Sequence, residues 1–215
     1  MIELSGYSLP DIKLLADNPP GILIWIPDKK YIVLGASNTV EDSLVTENVI
    51  QDNVTVMKRI SGGQTVLLTP ECLVVSCVFD NSNHLQPKDI FYSINLLIKN
   101  ALEKTGVRSL SLTGISDIAI SGKKISGSAI YKNRDKLLYH AVLNIGEPAA
   151  SIEKYLKQPA KQPDYRNGRK HTDFVTSLRG NGFTGKNSEL ATIIEQTLMD
   201  KLQNTVHTIR AAANE

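Results

Sequence analysis

What the chain lacks narrows its class before any motif is read. No apolar run in its 215 residues approaches the roughly 18–20 that a membrane helix needs, and the longest, such as 73–79, is strand length. The opening MIELSGYSLPDIK carries an acid early and has no apolar h-region, so it does not read as a secretory signal. There are only two cysteines, Cys72 and Cys77. In a predicted strand that spacing points them to opposite faces, so they do not bridge, and two cysteines cannot staple a scaffold. A reducing, cytoplasmic setting is the expectation. The four histidines (His84, His140, His171 and His207) are scattered, so no zinc-type spacing appears. Charge is also missing: 24 basic against 22 acidic residues leave +2, which excludes a general electrostatic grip on nucleic acid.

The composition that remains is ordinary, 41% hydrophobic and 21% charged. A chain of this length buries about 70% of its unfolded surface without staples. Residues 11–16 read as a weak helical start, stopped before Pro19-Pro20. Residues 22–26 and 31–34 are β-rich runs around Pro27-Asp28-Lys29, a hairpin signature. Residues 54–57, 65–68 and 73–79 continue the strand series, with Ser-Gly-Gly and Thr-Pro-Glu breaks. From Asp89 the period changes: Ile90, Ile94, Leu97, Ile98, Ala101 and Leu102 mark one helical face, ended by Gly106. Strands follow at 117–121, around 125–130 and at 137–145, then a short helix at 151–156. Residues 158–170 are polar and Pro-rich, a long loop of the kind that is usually functional or mobile. Ser188 is expected to cap a last helix whose stripe is Leu190, Ile193, Ile194, Leu198 and Leu202. Strands and helices come in runs, so the expected fold is α+β, with a mixed, mostly antiparallel sheet and flanking helices. No repeat or linker divides it, and one domain over 1–215 is expected.

Three segments carry chemistry. Lys58-Arg59-Ile60-Ser61-Gly62-Gly63-Gln64-Thr65-Val66 holds a Gly-Gly pair whose tight turn can present consecutive N–H groups to an anion, beside a permanently charged guanidinium. Taken alone, the same pair is equally a plain turn between strands. In Ser116-Asp117…Gly122-Lys123-Lys124-Ile125-Ser126-Gly127-Ser128-Ala129 an ammonium stands among small residues that leave room for a ligand, or the segment is a hairpin with a solvated Lys-Lys bend. In Tyr139-His140-Ala141-Val142 a histidine alternates with apolar neighbours, which is usually a satisfied core or edge residue.

In this order and spacing the three segments resemble the catalytic domain of lipoate-protein ligase A and, more broadly, the family of biotin protein ligases and octanoyltransferases. The resemblance is strongest over 57–145, and Lys-Ile-Ser-Gly-Ser-Ala is specific to the lipoate branch. It implies an enzyme that joins lipoate to ATP, giving lipoyl-AMP and pyrophosphate, and passes the lipoyl group to a lysine of a lipoyl domain. Such acceptors are the glycine cleavage H protein and the acyltransferase subunits of 2-oxoacid dehydrogenases. By the same resemblance Arg59, with Ser61, Gly62 and Gly63, contacts nucleotide phosphate, and Gln64, Thr65, Val66 and Leu67 line the nucleotide and acyl pocket. Lys124 is the catalytic lysine holding the carboxyl or acyl-phosphate oxygens, with Gly127, Ser128 and Ala129 as its small neighbours. Asp117 lies near the adenylate and Mg²⁺, and His140 matches the second histidine of the family's His-His-Gly stretch.

Departures from the pattern are visible. Gln64 replaces a third glycine, Leu68-Thr69 a His-Asp pair, Ala141 a glycine, Ser116 an asparagine and Lys58 the first arginine. The sequence also leaves no room for the accessory C-terminal domain of many bacterial ligases, which raises a separately encoded accessory subunit. Alternatives are an octanoyl or lipoyl transferase fed by an acyl-carrier donor, and a degenerate relative that binds without turnover. Thiol-dependent octanoyltransferases carry their cysteine where this chain has 113–116, so a thioester route is not expected. Lys157, Lys161, Arg166, Arg169 and Lys170 make the 157–170 loop basic. That is a solvated face, a lid over the adenylate, or a landing site for an acidic lipoyl domain. Arg179 and 180–185 are assigned to the same region.

Overall fold

The computed structural model describes residues 2–17, 19–82 and 84–212, with side chains to Lys201. Two sheets form the frame. The smaller runs β1 (Leu4–Gly6), β4 (Thr55–Lys58), β3 (Tyr31–Leu34), β5 (Val66–Leu68), with β4 parallel to both its neighbours. The larger is wholly antiparallel, in the order β2 (Gly21–Trp25), β6 (Cys72–Asp80), β10 (Lys136–Asn144), β9 (Lys123–Lys132), β8 (Asp117–Ile120), β7 (Leu110–Thr113).

Each sheet buries both faces, and the sequence shows why. β6 is apolar at nearly every position because one face meets helices and the other meets the small sheet. Leu73, Val75, Cys77 and Phe79 pack with α3 (Pro87–Lys104) and α6 (Asn187–Ala212). Val74, one residue out of phase, packs with Tyr31, Val33, Met57 and Leu68 of the small sheet. The far face of that sheet, with Ile32, Leu34, Val56 and Leu67, is covered by α2 (Thr46–Gln51) and α4 (Ala149–Tyr155) through Val49, Tyr155 and Leu156. Helix α1 (Val40–Ser43) is a single turn capped by the Thr39 hydroxyl. The layers are therefore helices, six-stranded sheet, four-stranded sheet, helices. Fully burying one Leu or Ile side chain contributes about 1.5–3 kcal/mol, which is why the apolar stripe of α3 (Ile90, Ile94, Ile98, Leu102) forms against this sheet.

Several expectations are corrected. Residues 22–26 and 31–34 are not a hairpin: β2 pairs with β6 and β3 with β4 and β5, so the chain crosses between sheets at Pro27. The last helix begins at Asn187, which puts Ser188 inside its first turn. Leu190, Ile194 and Leu198 are in the core, while Leu202 lies outside the described side chains. Cys72 and Cys77 do take opposite faces and are both buried. Among the described residues no helix is long and apolar enough to cross a membrane.

Candidate functional site

The site lies on the face of the six-stranded sheet that looks toward the small sheet, and pairing register fixes its layout. Asp117 is opposite Gly127, which is opposite Val142; His140 is opposite both Ala129 and Ser76. Side chains two apart on a strand share a face, so Asp117, Gly127, Ala129 and His140 stand together. Lys124, three residues before Gly127, belongs by parity to the opposite, core face. A β-bulge decides otherwise: Ile118 pairs with Ser126 but Ala119 with Lys124, so Ile125 is the extra residue. Ile125 and Ile118 both point into the core, and Lys124 is delivered to the Asp117 side. Its Nζ lies 2.9 Å from Asp117 Oδ1, with the lysine side chain 31% exposed and the aspartate 6%. Gly127 keeps that path open, since a Cβ there would sit 2.5 Å from Lys124 Nζ.

The Gly-Gly turn packs on the same face. Gly63 takes φ +85°, and a Cβ on it would touch Ala129 Cβ at 3.4 Å. The Arg59 side chain lies beneath the turn and is buried. Its Nε donates to Ser61 Oγ at 2.9 Å, Nη1 to the Val33 carbonyl at 3.2 Å, and Nη2 to the Gly62 and Gln64 carbonyls at 2.8 Å each. Burial lowers the guanidinium from its ordinary value to about 10, opposed by Tyr7 and Asp11.

His140 joins this turn to the N-terminal segment. Its Nε2 is 2.6 Å from Ser61 Oγ and its Nδ1 is 3.1 Å from Asp11 Oδ2. Asp11, wholly buried in the 3₁₀ turn Pro10–Leu15, also accepts from Tyr7 Oη at 2.7 Å and Ser76 Oγ at 3.4 Å. Burial pushes its carboxyl up, but the bonds from His140 and Tyr7 outweigh that and the net shift is down.

A third wall is the basic loop. Tyr165 Oη donates to Asp117 Oδ2 at 2.7 Å, and burial next to that carboxylate raises the phenol. Gln64 Nε2 donates to the Lys161 carbonyl at 3.2 Å, tying the Gly-Gly turn to the loop. Arg166 and Arg169 lie over the Phe174 ring at 4.8 and 5.2 Å, Phe174 belonging to α5 (His171–Phe174). The Thr176 amide then bonds the Lys124 carbonyl at 2.9 Å. The loop therefore folds across the site, with its two arginines turned inward and Lys161 and Lys170 exposed.

The structure brings together Lys124, Asp117, Gly127, Ala129, Gly62, Gly63, Gln64, Ser61 and His140. Thr65 stays beside the turn, its hydroxyl on Asn38 Oδ1 at 3.2 Å. Strand alternation separates the rest. Val66 packs in the layer between the sheets, whereas Leu67 points the other way, into the α2/α4 core. Ser128 also points away, its hydroxyl on the Ser116 carbonyl at 2.8 Å. Arg59 does not offer a free fork, because its donors serve the turn. Asp117 does not fit the part of a metal ligand: one oxygen holds Lys124 and the other Tyr165. Among the described residues no three His, Cys, Asp or Glu side chains gather as a metal site. Sequence reasoning missed Asp11, Tyr7 and Tyr165. The only signal at Asp11 was an acid set between Leu9, Ile12 and Leu14. A cavity of about 320 Å³ lies elsewhere, between the end of α3 and the start of α6, lined by Val107, Phe183 and Leu190 among others.

Comparison with known proteins shows the family and the fold. Residues 12–200 match the family described as the lipoyl protein ligase A/B catalytic domain. An inactive lipoate–protein ligase 2 of Plasmodium falciparum is 26% identical, over 71% of this chain and 48% of its own length. Lipoate–protein ligase 1 of Staphylococcus aureus is 31% identical over 65% of this chain and 42% of its own. The chain thus spans about half the length, or less, of these relatives. In fold it is similar to a lipoate-protein ligase A solved with ATP (TM-score 0.76, 16% identity, 94% of this chain and 84% of that one). It is also similar to a bipartite lipoate protein ligase of Thermoplasma acidophilum, solved in a study that includes its E2 lipoyl domain (TM-score 0.74, 18% identity, 86% and 72%).

Proposed function

Because this chain belongs to the lipoyl protein ligase A/B catalytic-domain family, we propose that it activates lipoate with ATP and transfers the lipoyl group to a lysine of a lipoyl domain. The observation that carries the reading is the bulge-delivered Lys124 ammonium on a glycine floor, facing the Gly-Gly turn on one sheet face. In the first step a carboxylate oxygen of lipoate attacks the α-phosphorus, and the bond to pyrophosphate breaks. Negative charge grows on the phosphoryl oxygens, where a fixed ammonium and turn N–H groups stabilise it more than the ground state. In the second step the acceptor amine attacks the acyl carbonyl and AMP leaves, with Lys124 still polarising that carbonyl. Asp117 orients the ammonium and Tyr165 fixes Asp117. Mg²⁺ enters as the counter-ion of the ATP phosphates, which suit it better than this lone, occupied carboxylate. The acyl chain is assigned to the partly buried apolar layer between the sheets, where Tyr7, Trp25, Val66 and Val142 meet.

The thiols take no part: burial pushes Cys72 up to about 11 and Cys77 to about 12, so neither supplies a thiolate. The bipartite architecture of the Thermoplasma ligase supports a separately encoded accessory subunit here, and its E2 lipoyl domain supports that acceptor class. Purified chain, ATP, lipoate and an apo lipoyl domain are expected to release pyrophosphate and add one lipoyl mass to the domain. If only an octanoylated carrier protein supports modification, the chain is a transferase. If neither donor works and lipoyl-AMP analogue still binds, it is the degenerate binder, a reading favoured by the inactive name of one relative.

A further inference from the structure

The residue that charge and motif both aim at phosphate, Arg59, has committed all but one of its donors. A guanidinium has five N–H donors, and four of them end on Ser61 Oγ and on the carbonyls of Val33, Gly62 and Gln64. Donor counting fixes the two ends of the attached chain. Arginine only donates and ionised aspartate only accepts. Ser61 Oγ accepts from Arg59 Nε–H, and the His140 ring bridges Ser61 Oγ through Nε2 and the Asp11 carboxylate through Nδ1. The bonds thus run without a break from Arg59 to Asp11, and Tyr7 and Ser76 also donate to the carboxylate.

That chain orients the turn. In a trans peptide the C=O and the following N–H point in opposite directions. With the Gly62 carbonyl held inward by Arg59, the Gly63 N–H points outward. The Gly63 carbonyl is pressed against Gly35, where a Cβ would collide with it, so the Gln64 N–H also points away. Gly62, Gly63 and Gln64 are exposed, and nothing would meet a Cβ at Gly62. Among the described residues no hydrogen bond within the chain takes up the Gly63 or Gln64 N–H.

We propose that Arg59, with Ser61, His140 and Asp11, is a positioning device that clamps the turn's carbonyls inward, and that the phosphate-bearing substrate is received by the Gly63 and Gln64 N–H groups instead of by the guanidinium. This deepens the proposed reaction and rests on it for the identity of the anion. The test is a titration of the ¹⁵N-labelled full chain with inorganic pyrophosphate, following the Gly63 and Gln64 amides and the Arg59 Nε–H by NMR. The two amides are expected to shift with saturation while Arg59 Nε–H stays in place. Asp11→Asn is expected to weaken pyrophosphate about tenfold, in line with other orienting-shell losses, and to change the ring ¹⁵N signature of His140. A merely structural role would lower the melting temperature without moving that signature. Should Asp11→Asn not fold, Ser61→Ala breaks the chain at its midpoint and gives the same readout. A shift led by Arg59 Nε–H, silent amides, or full affinity in the variant would overturn the proposal. Anion binding lost with lipoylation intact retires this proposal alone; lipoylation absent with anion binding intact retires the reaction alone.

Discussion

Two walls of the same site are held in opposite ways. The Gly-Gly turn rests on a buried relay running from Arg59 to Asp11, at 6% and 0% exposure. The 158–174 segment rests on a mixture: Gln64 on the Lys161 carbonyl is exposed, Tyr165 on Asp117 is partly buried, and of the two arginines over one phenyl ring Arg166 is buried with Phe174. Buried, fully satisfied polar networks rigidify, because breaking them leaves desolvated groups unpaired. Exposed contacts exchange with water at little cost. The turn wall is thus held by buried polar bonds throughout, while the loop wall carries the more exposed tie at Gln64.

The largest expected effect falls between the walls. Lys124→Ala should lower pyrophosphate release and lipoyl transfer by about 10²–10³-fold or more, with little change in melting temperature, because the side chain is 31% exposed. An unchanged rate would remove the site from this face of the sheet. Gly127→Ala should cost about 10–100-fold by pushing the ammonium off its Asp117 position, and restored activity in Gly127→Ala at saturating substrate would show that only binding was disturbed.

Acid should separate the walls. Burial, with the charges of Arg166 and Lys124, lowers His171 to about 4, below its ordinary 6.5 or so. The unfolded form takes the proton more readily, so stability contributed by neutral His171 is complete above about pH 6.5 and declines as pH falls toward 4. Asp11 is depressed instead, so its contribution persists down to the usual carboxylate range near 3.9 and fails only below it. Hydrogen exchange at the Val175 and Thr176 amides should therefore quicken between pH 6.5 and 4.5 while amides of the relay, such as Arg59, do not change beyond the intrinsic rate. His171→Gln should flatten that difference. Tyr165→Phe should loosen the loop wall by about 1 kcal/mol, seen as a several-fold rise in KM for ATP with kcat nearly unchanged. Smallest is Gln64→Gly: an exposed amide bond is lost, and stability should stay within about 0.5 kcal/mol.

Much of this was legible from residue order alone, for reasons that also mark where legibility ends. The helical stripes of α3 and α6, the all-apolar β6 and the Lys-Ile-Ser-Gly-Ser-Ala strand are local patterns, and local patterns survive folding. The expected β2–β3 hairpin failed because period-two alternation says that a run is a strand and nothing about its partner; β6 took β2 into the other sheet. Leu67 and Ser128 were placed in the site by motif adjacency, and strand alternation turned both away. Asp11 and Tyr165 act across 129 and 48 residues of chain, a separation at which no spacing rule operates. Lys124 reaches the Asp117 side of the sheet only through a single inserted residue that no alternation count reveals.

Gly35 has no side chain to react and directly follows a core strand, yet the Gly63 carbonyl lies directly against it. In a mutational scan it should therefore score like a residue of the site, with Gly35→Ala resembling damage to the turn and not damage to the core. The two glycines form a linked pair, so relief at one position should depend on what occupies the other. A library that diversifies the turn while leaving position 35 unexamined would be searching against a fixed wall.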